Sequence, residues 1–328
     1  MPTPVLLVTF PLAPARRALV EATLDQAART IYLADLADGA RGPALRAATV
    51  VLAHDTGREL RPGEPALLAH ARLIQFISAG VDFIPLSELP PTVPLAANGG
   101  AYAEAMAEHG LAMAFAAAKR LLIEHAALGR GAFNQFVPNR MLAGSVCGIF
   151  GMGGIGAAMA RLARGIGMAV HAINRRGATT EPVEWIATPD RLDTLLAAAD
   201  VLVIAAPLSH ATLGRIGAAE LARMKPDAIL VNLARGEIVQ EDALFAHLRT
   251  HPAFTACLDA WWVEPVRHGS FRMDHPFLGL PNVIGSPHNS AQGGNAGTLG
   301  LAHAVANVRR ALLGQTPLHL ITPEERMA

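Results

Sequence analysis

The sequence predicts an α/β protein built from two doubly wound parallel sheets. Three observations predict it. Short apolar, strand-like runs alternate with helical segments along most of the chain, the pattern of parallel sheets covered on both faces. A glycine-rich run, Phe150-Gly151-Met152-Gly153-Gly154-Ile155-Gly156, lies in mid-chain between such a strand and a helix. The 328 residues are also enough for two domains of ordinary size.

The first part of the chain reads as strand Val5 to Val8, amphipathic helix Ala15 to Ala28, and strands Thr30 to Leu33, Thr49 to Leu52 and Leu73 to Ile77. Pro90-Pro91 and Pro94 mark a turn-rich connection, and a long helix follows over roughly Ala101 to His125. From Gly144 the alternation resumes. Strands are expected at Val146–Phe150, Ala169–Asn174, Val201–Ala205, Ala228–Asn232, Phe254–Leu258 and Val283–Gly285. Helices are expected at Ala157–Gly165, Arg191–Ala198, Ala218–Met224 and Gln240–Arg249, and a last helix over Asn289 to Gly314. A mid-chain dinucleotide-type unit implies a Rossmann domain, residues 99–289, inserted into a flavodoxin-like substrate domain made of residues 1–98 and 290–328. The tail helix then returns to the first domain.

Composition narrows the function classes. Apolar residues make up 52% of the chain and charged residues 16%, which suits packed cores and argues against disorder. Lys+Arg and Asp+Glu are equal at 27 each, a balance that predicts no nucleic-acid and no membrane partner. The alanine-rich stretch from Ala101 carries Glu104, Glu108, His109, Lys119 and Arg120, so it reads as a helix of a soluble protein. Cys147 and Cys257 lie in apolar runs and read as reduced core residues. With no basic segment leading into an apolar signal region after Met1, the expected location is the cytoplasm. No histidine shows metal-ligand spacing, and no metal is expected.

The glycine run carries the first functional signal. After a strand and before a helix, Gly151 permits the tight turn, Gly153 lets the backbone approach a pyrophosphate, and Gly156 lets helix and strand pack closely. Gly154 and Ile155 open the helix, whose free N–H groups would receive the phosphates. An NAD site usually ends its next strand with an acid that grips the adenosine ribose. Here Asn174-Arg175-Arg176 stands at that point. Two guanidinium groups suit a 2′-phosphate, so NADP(H) is expected in preference to NAD(H).

Three further segments end predicted strands, where such folds keep their sites. They are Asn232-Leu233-Ala234-Arg235-Gly236, Leu258-Asp259-Ala260-Trp261-Trp262-Val263-Glu264-Pro265 and Ser286-Pro287-His288-Asn289. With Ser78-Ala79-Gly80-Val81-Asp82, Met106-Ala107-Glu108-His109, the glycine run and Met224-Lys225-Pro226-Asp227-Ala228, their order and spacing resemble the D-isomer-specific 2-hydroxyacid dehydrogenase family, glyoxylate and hydroxypyruvate reductases included. The resemblance runs from about Ile74 to His303.

It implies a catalytic set of Arg235, Glu264 and His288. The residue types suit the chemistry. The Arg235 fork can hold a carboxylate and a carbonyl oxygen together. His288 can give a proton in reduction and take one in oxidation. Glu264 would bond the other ring nitrogen and orient the ring. The resemblance also implies that the backbone N–H groups of Ala79 and Gly80 complete the substrate carboxylate site, that Asp259 binds the nicotinamide carboxamide, and that the long-helix region forms a homodimer. Reduction of a small 2-oxo acid with NADPH is the expected activity. Oxidation of another small anion such as formate or phosphite on the same scaffold, or a nucleotide-sensing corepressor-like role, are the alternatives.

Some features depart from the family pattern. Asn289-Ser290-Ala291-Gln292 replaces the small residues usual after the catalytic histidine, Trp261-Trp262 replaces a smaller pair, and Arg267 to Arg272 forms a longer basic link. Both pocket-shaping and plain packing remain open for the last two. His54, after the third strand, reads as a loop residue.

Overall fold

The computed structural model describes residues 3–323, so Met1, Pro2 and the last five residues of the expected first domain lie outside it. The chain divides into two compact units, residues 1–102 with 294–328, and residues 103–293.

The first unit holds a five-stranded sheet. Its elements are β1 (Val5–Val8), α1 (Pro14–Leu24), β2 (Arg29–Tyr32), α2 (Asp38–Ala47), β3 (Val50–Ala53), α3 (Thr56–Glu59), β4 (Ile74–Phe76) and β5 (Leu95–Ala96). The strand order is β2-β1-β3-β4-β5, every pairing parallel. This is the order of flavodoxin-like sheets. Strand periodicity sorts the core into two layers. Leu6, Val8, Val50 and Leu52 pack on one face with Val20 and Leu24 of α1. Leu7, Val51, Ala53, Ile74 and Phe76 pack on the other with Ala44 and Leu45 of α2.

The second unit holds a seven-stranded sheet. It runs α4 (Ala103–Ala118), α5 (Leu121–Gly129), β6 (Val146–Phe150), α6 (Gly154–Gly165), β7 (Ala169–Ile173), β8 (Trp185–Ala187), α7 (Leu192–Ala198), β9 (Val201–Ile204), α8 (Ala218–Arg223), β10 (Ile229–Asn232), α9 (Glu241–Thr250), β11 (Thr255–Leu258), α10 (Pro265–His268) and β12 (Val283–Gly285). The order β12-β11-β10-β9-β6-β7-β8 is again all parallel. The direction of winding reverses between β6 and β9, the switch point where doubly wound sheets take nucleotides at the carboxyl ends of their strands. α11 (Ala296–Leu312) then returns to the first unit, where Leu301, Ala304, Val305 and Val308 join the face packed with α1. The Cys147 and Cys257 thiols are free and buried, and burial pushes both up to about 12.

Three expectations are corrected. The single long helix is two, because Arg120 turns left-handed (φ 55°) and the Arg140 N–H takes the Ala118 carbonyl that would continue α4. The last helix starts at Ala296, not Asn289, since the Asn289 and Ser290 amides are drawn to the Asp259 carboxylate. α2, β5 and β8 were not legible. α2 contains Gly39, Gly42 and Pro43, poor helix formers, yet Arg41 ties it to Glu64 at 2.8 and 2.6 Å and Leu45 is buried.

Candidate active site

The turn after β6 is built for close approach. Gly151 has φ 112°, and a Cβ there would lie 2.3 Å from the Ala206 amide nitrogen. A Cβ on Gly156 would lie 2.3 Å from the Gly151 carbonyl oxygen. Both contacts are with backbone and cannot be relieved by turning a side chain. Gly153 differs. Its Cβ position meets nothing within 4 Å, and it sits at the N-cap of α6 with no side chain capping the helix. Gly154 and Ile155 form the first turn. The helix start is therefore a backbone cradle open where a side chain would fill it, with N–H groups aimed outward. That geometry fits a dinucleotide pyrophosphate.

At the end of β7 the Asn174 side chain folds onto its own turn. Its Oδ1 accepts the Arg176 N–H at 3.0 Å, and its Nδ2 donates to the Ala178 carbonyl at 2.8 Å. Gly177 completes the turn at φ 60°. Asn174 thus shapes the loop that presents Arg175 and Arg176, both exposed.

Arg235 follows β10 in extended conformation. The wholly buried Asn232 sets its turn, donating to the Arg235 carbonyl at 2.9 Å and accepting the Ala234 N–H at 3.0 Å. Glu264 and His288 meet directly. His288 Nδ1 lies 2.7 Å from Glu264 Oε2, and the Trp261 N–H donates to the other carboxylate oxygen at 2.7 Å. Burial by itself would raise the Glu264 pKa. The hydrogen bond and charge of His288, the Trp261 N–H and the Arg235 charge outweigh it and hold the carboxyl below its ordinary range. The pairing leaves His288 Nε2 as the ring nitrogen turned away from Glu264. His288 itself is left-handed at φ 49°.

Asp259, at the end of β11, is wholly buried. Its carboxylate accepts the Ser286 hydroxyl at 2.5 Å and the amides of Asn289 and Ser290 at 3.1 and 3.2 Å. Both tryptophans bond to neighbouring segments. Trp261 Nε1 donates to the Ser286 carbonyl at 2.8 Å. Trp262 Nε1 donates to the Val239 carbonyl at 2.7 Å, and its ring stacks on Phe277. Arg267 pairs with Glu237. Ala79 and Gly80 lie in the bend after β4, in the first unit, where the His54 ring stands edge-on to Phe10 and Phe83. Sequence reasoning missed Asn232 and Ser286 as supports. The available signal was a small polar residue ending a buried strand or preceding Pro287-His288.

Comparison with known proteins gives the family and the fold. The model of the D-isomer specific 2-hydroxyacid dehydrogenase NAD binding domain matches residues 111–290. Glyoxylate/hydroxypyruvate reductase B of Pectobacterium atrosepticum is 39% identical over 178 residues, 54% of this chain and 54% of that protein. The chain thus spans about half the length of the curated relative it matches. Among solved structures, a glycerate dehydrogenase related protein from Thermoplasma acidophilum is 29% identical with a TM-score of 0.65, over 93% of this chain and 99% of that one. A D-isomer specific 2-hydroxyacid dehydrogenase family protein from Aeromonas salmonicida is 26% identical with a TM-score of 0.74, over 98% and 99%.

Proposed function

The chain belongs to the D-isomer specific 2-hydroxyacid dehydrogenase family, and from that premise we propose that it reduces a small 2-oxo acid, glyoxylate or hydroxypyruvate, to the D-2-hydroxy acid with NADPH. The observation that carries the reading is the Glu264–His288 pair at 2.7 Å at the carboxyl end of the sheet, with Arg235 close enough to act on Glu264. The relatives of that name in Pectobacterium and Yersinia support the choice of acid.

Bound NADPH would supply the hydride to the substrate's carbonyl carbon. The open backbone at Gly153 and the α6 N-terminus would hold its pyrophosphate, and Arg175 and Arg176 its 2′-phosphate. The planar Arg235 fork binds the substrate carboxylate and draws charge onto the carbonyl oxygen. The amides of Ala79 and Gly80 are assigned to the same carboxylate. His288 Nε2–H gives its proton to that oxygen as charge develops there. Nδ1–H stays on Glu264 throughout, so the proton leaves from the nitrogen that faces substrate. Asp259 as a ligand of the nicotinamide carboxamide belongs to the same reading, although its oxygens already hold Ser286 and two amides.

A homodimer is assigned through the long-helix region, where Leu121, Leu122 and Leu128 of α5 and the nearby Phe133 and Phe136 are exposed apolar side chains that a second copy would cover. The cytoplasm is the assigned location. No helix among the described residues is long and apolar enough to cross a membrane.

The test is NADPH oxidation, and the reverse reaction with NADP⁺, across 2-oxo acids, formate and phosphite. Turnover of glyoxylate or hydroxypyruvate to the D-product is expected. Tight NADPH binding with no turnover of any acid would leave a nucleotide-sensing role instead, and activity on formate or phosphite alone would move the substrate class.

A further inference from the structure

His109 is a motif residue with no part in the reaction above, yet its side chain reaches Ser286, two residues before His288. Its Nε2 lies 3.0 Å from Ser286 Oγ. Ser286 Oγ lies in turn 2.5 Å from Asp259 Oδ1. The directions follow from the groups. A carboxylate only accepts, so Ser286 donates its proton to Asp259, and His109 Nε2–H donates to the serine oxygen. Met113, one turn along α4 from His109, also touches Ser286, Sδ to Oγ 3.9 Å.

Asp259 grips both flanks of His288. Its backbone carbonyl accepts the His288 N–H at 2.9 Å. Its carboxylate accepts the Asn289 N–H on Oδ1 and the Ser290 N–H on Oδ2. Its own N–H is fixed to the Asn232 carbonyl at 3.1 Å, in the segment that leads to Arg235. Between those grips His288 sits at φ 49°, a conformation a side-chain-bearing residue keeps only when its surroundings enforce it. Glu264 orients the ring but bonds only the ring, so it does not hold the backbone.

We propose that His109, Ser286 and Asp259 form a chain of positioning residues that holds the His288 turn left-handed and so aims Nε2. The chain makes α4 part of the active-site frame and gives Asp259 a structural task. It rests on the reading of His288 as proton donor.

The test uses the full chain. Ser286→Ala removes the central hydroxyl and leaves the site's charges in place. Turnover of wild type is measured first with the acid panel, NADPH affinity by fluorescence, and amide exchange at Asn289 and Ser290 by NMR. In Ser286→Ala, kcat falls by roughly 10- to 100-fold, as expected for a misaimed catalytic group. NADPH affinity holds, and the two amides exchange faster. Ser286→Thr, which keeps the hydroxyl, restores kcat, and His109→Phe reproduces the loss. Unchanged kcat with unchanged exchange overturns the proposal. So does loss of NADPH affinity at preserved kcat, which would return Asp259 to the cofactor. If wild type turns over nothing in the panel, the functional reading fails separately, and the exchange rates alone decide the positioning chain: unchanged rates refute it.

Discussion

At His288 two requirements meet in one residue, a ring nitrogen bonded to Glu264 at 2.7 Å and a left-handed backbone. Replacing it with Ala removes the proposed proton donor without touching the α6 cradle. We expect kcat to fall by roughly 100- to 10,000-fold, with NADPH affinity unchanged by fluorescence titration; loss of cofactor binding would contradict the assignment. Arg175 and Arg176 are the residues proposed to carry the cofactor choice. Changing both to Ala should weaken NADPH by roughly 10- to 100-fold, the worth of one or two charge-assisted hydrogen bonds. NADH should barely respond, and equal weakening of both would show that the pair does not read the phosphate. These residues were legible because each stands at the end of a buried strand in a recognisable motif. Asn174 was legible only as the absence of an acid. That its amide instead shapes the turn depends on Ala178 coming back within 2.8 Å, a local contact that no residue count reveals.

Among the elements, α9 offers a pH test. His247 is stacked on His251, ring centroids 4.0 Å apart, and its Nε2 is buried with no hydrogen-bond partner. Burial, then the His251 charge, drop its pKa to about 4. The sign follows from the depressed value. The unfolded chain takes up the proton near its ordinary pKa of about 6.5, whereas the folded chain resists it until about 4. Stability from this site is therefore complete above pH 6.5 and is lost as the pH falls towards 4. His247→Phe keeps a ring and removes the proton, so its Tm should fall less steeply across that window. Parallel slopes for the two proteins would mean the histidine does not titrate there. Elements with clean apolar periodicity were readable to within a few residues. The break at Arg120 and the helix α2 were not, because each is decided by a distant partner: Arg140 closing the end of α4, and Glu64 pairing with Arg41.

The chain divides into two compact units, and one core layer of the first includes a helix from the far end of the chain. Leu301 on α11 is 4% exposed and packs with the β1 and β3 layer. Leu301→Ala should cost about 2–5 kcal/mol through the cavity it leaves. Amide protection should drop in β1 and β3 and persist in β6, β9 and β10, as read by hydrogen exchange. A uniform loss would mean the two units unfold as one.

By itself the sequence determined the fold class and the glycine turn, and it singled out the proposed trio of Arg235, Glu264 and His288. Those rest on local rules: strand and helix periodicity, glycines where a Cβ would strike backbone, and charged groups placed at strand ends. The tertiary structure alone decided how the trio is held. Asp259 binding the amides past His288 and His109 reaching Ser286 across 177 positions of chain are hydrogen bonds between separate elements. Their geometry exists only after the sheet has brought β10, β11, β12 and α4 together. Sequence order carries the identity of each partner but not the distance between them.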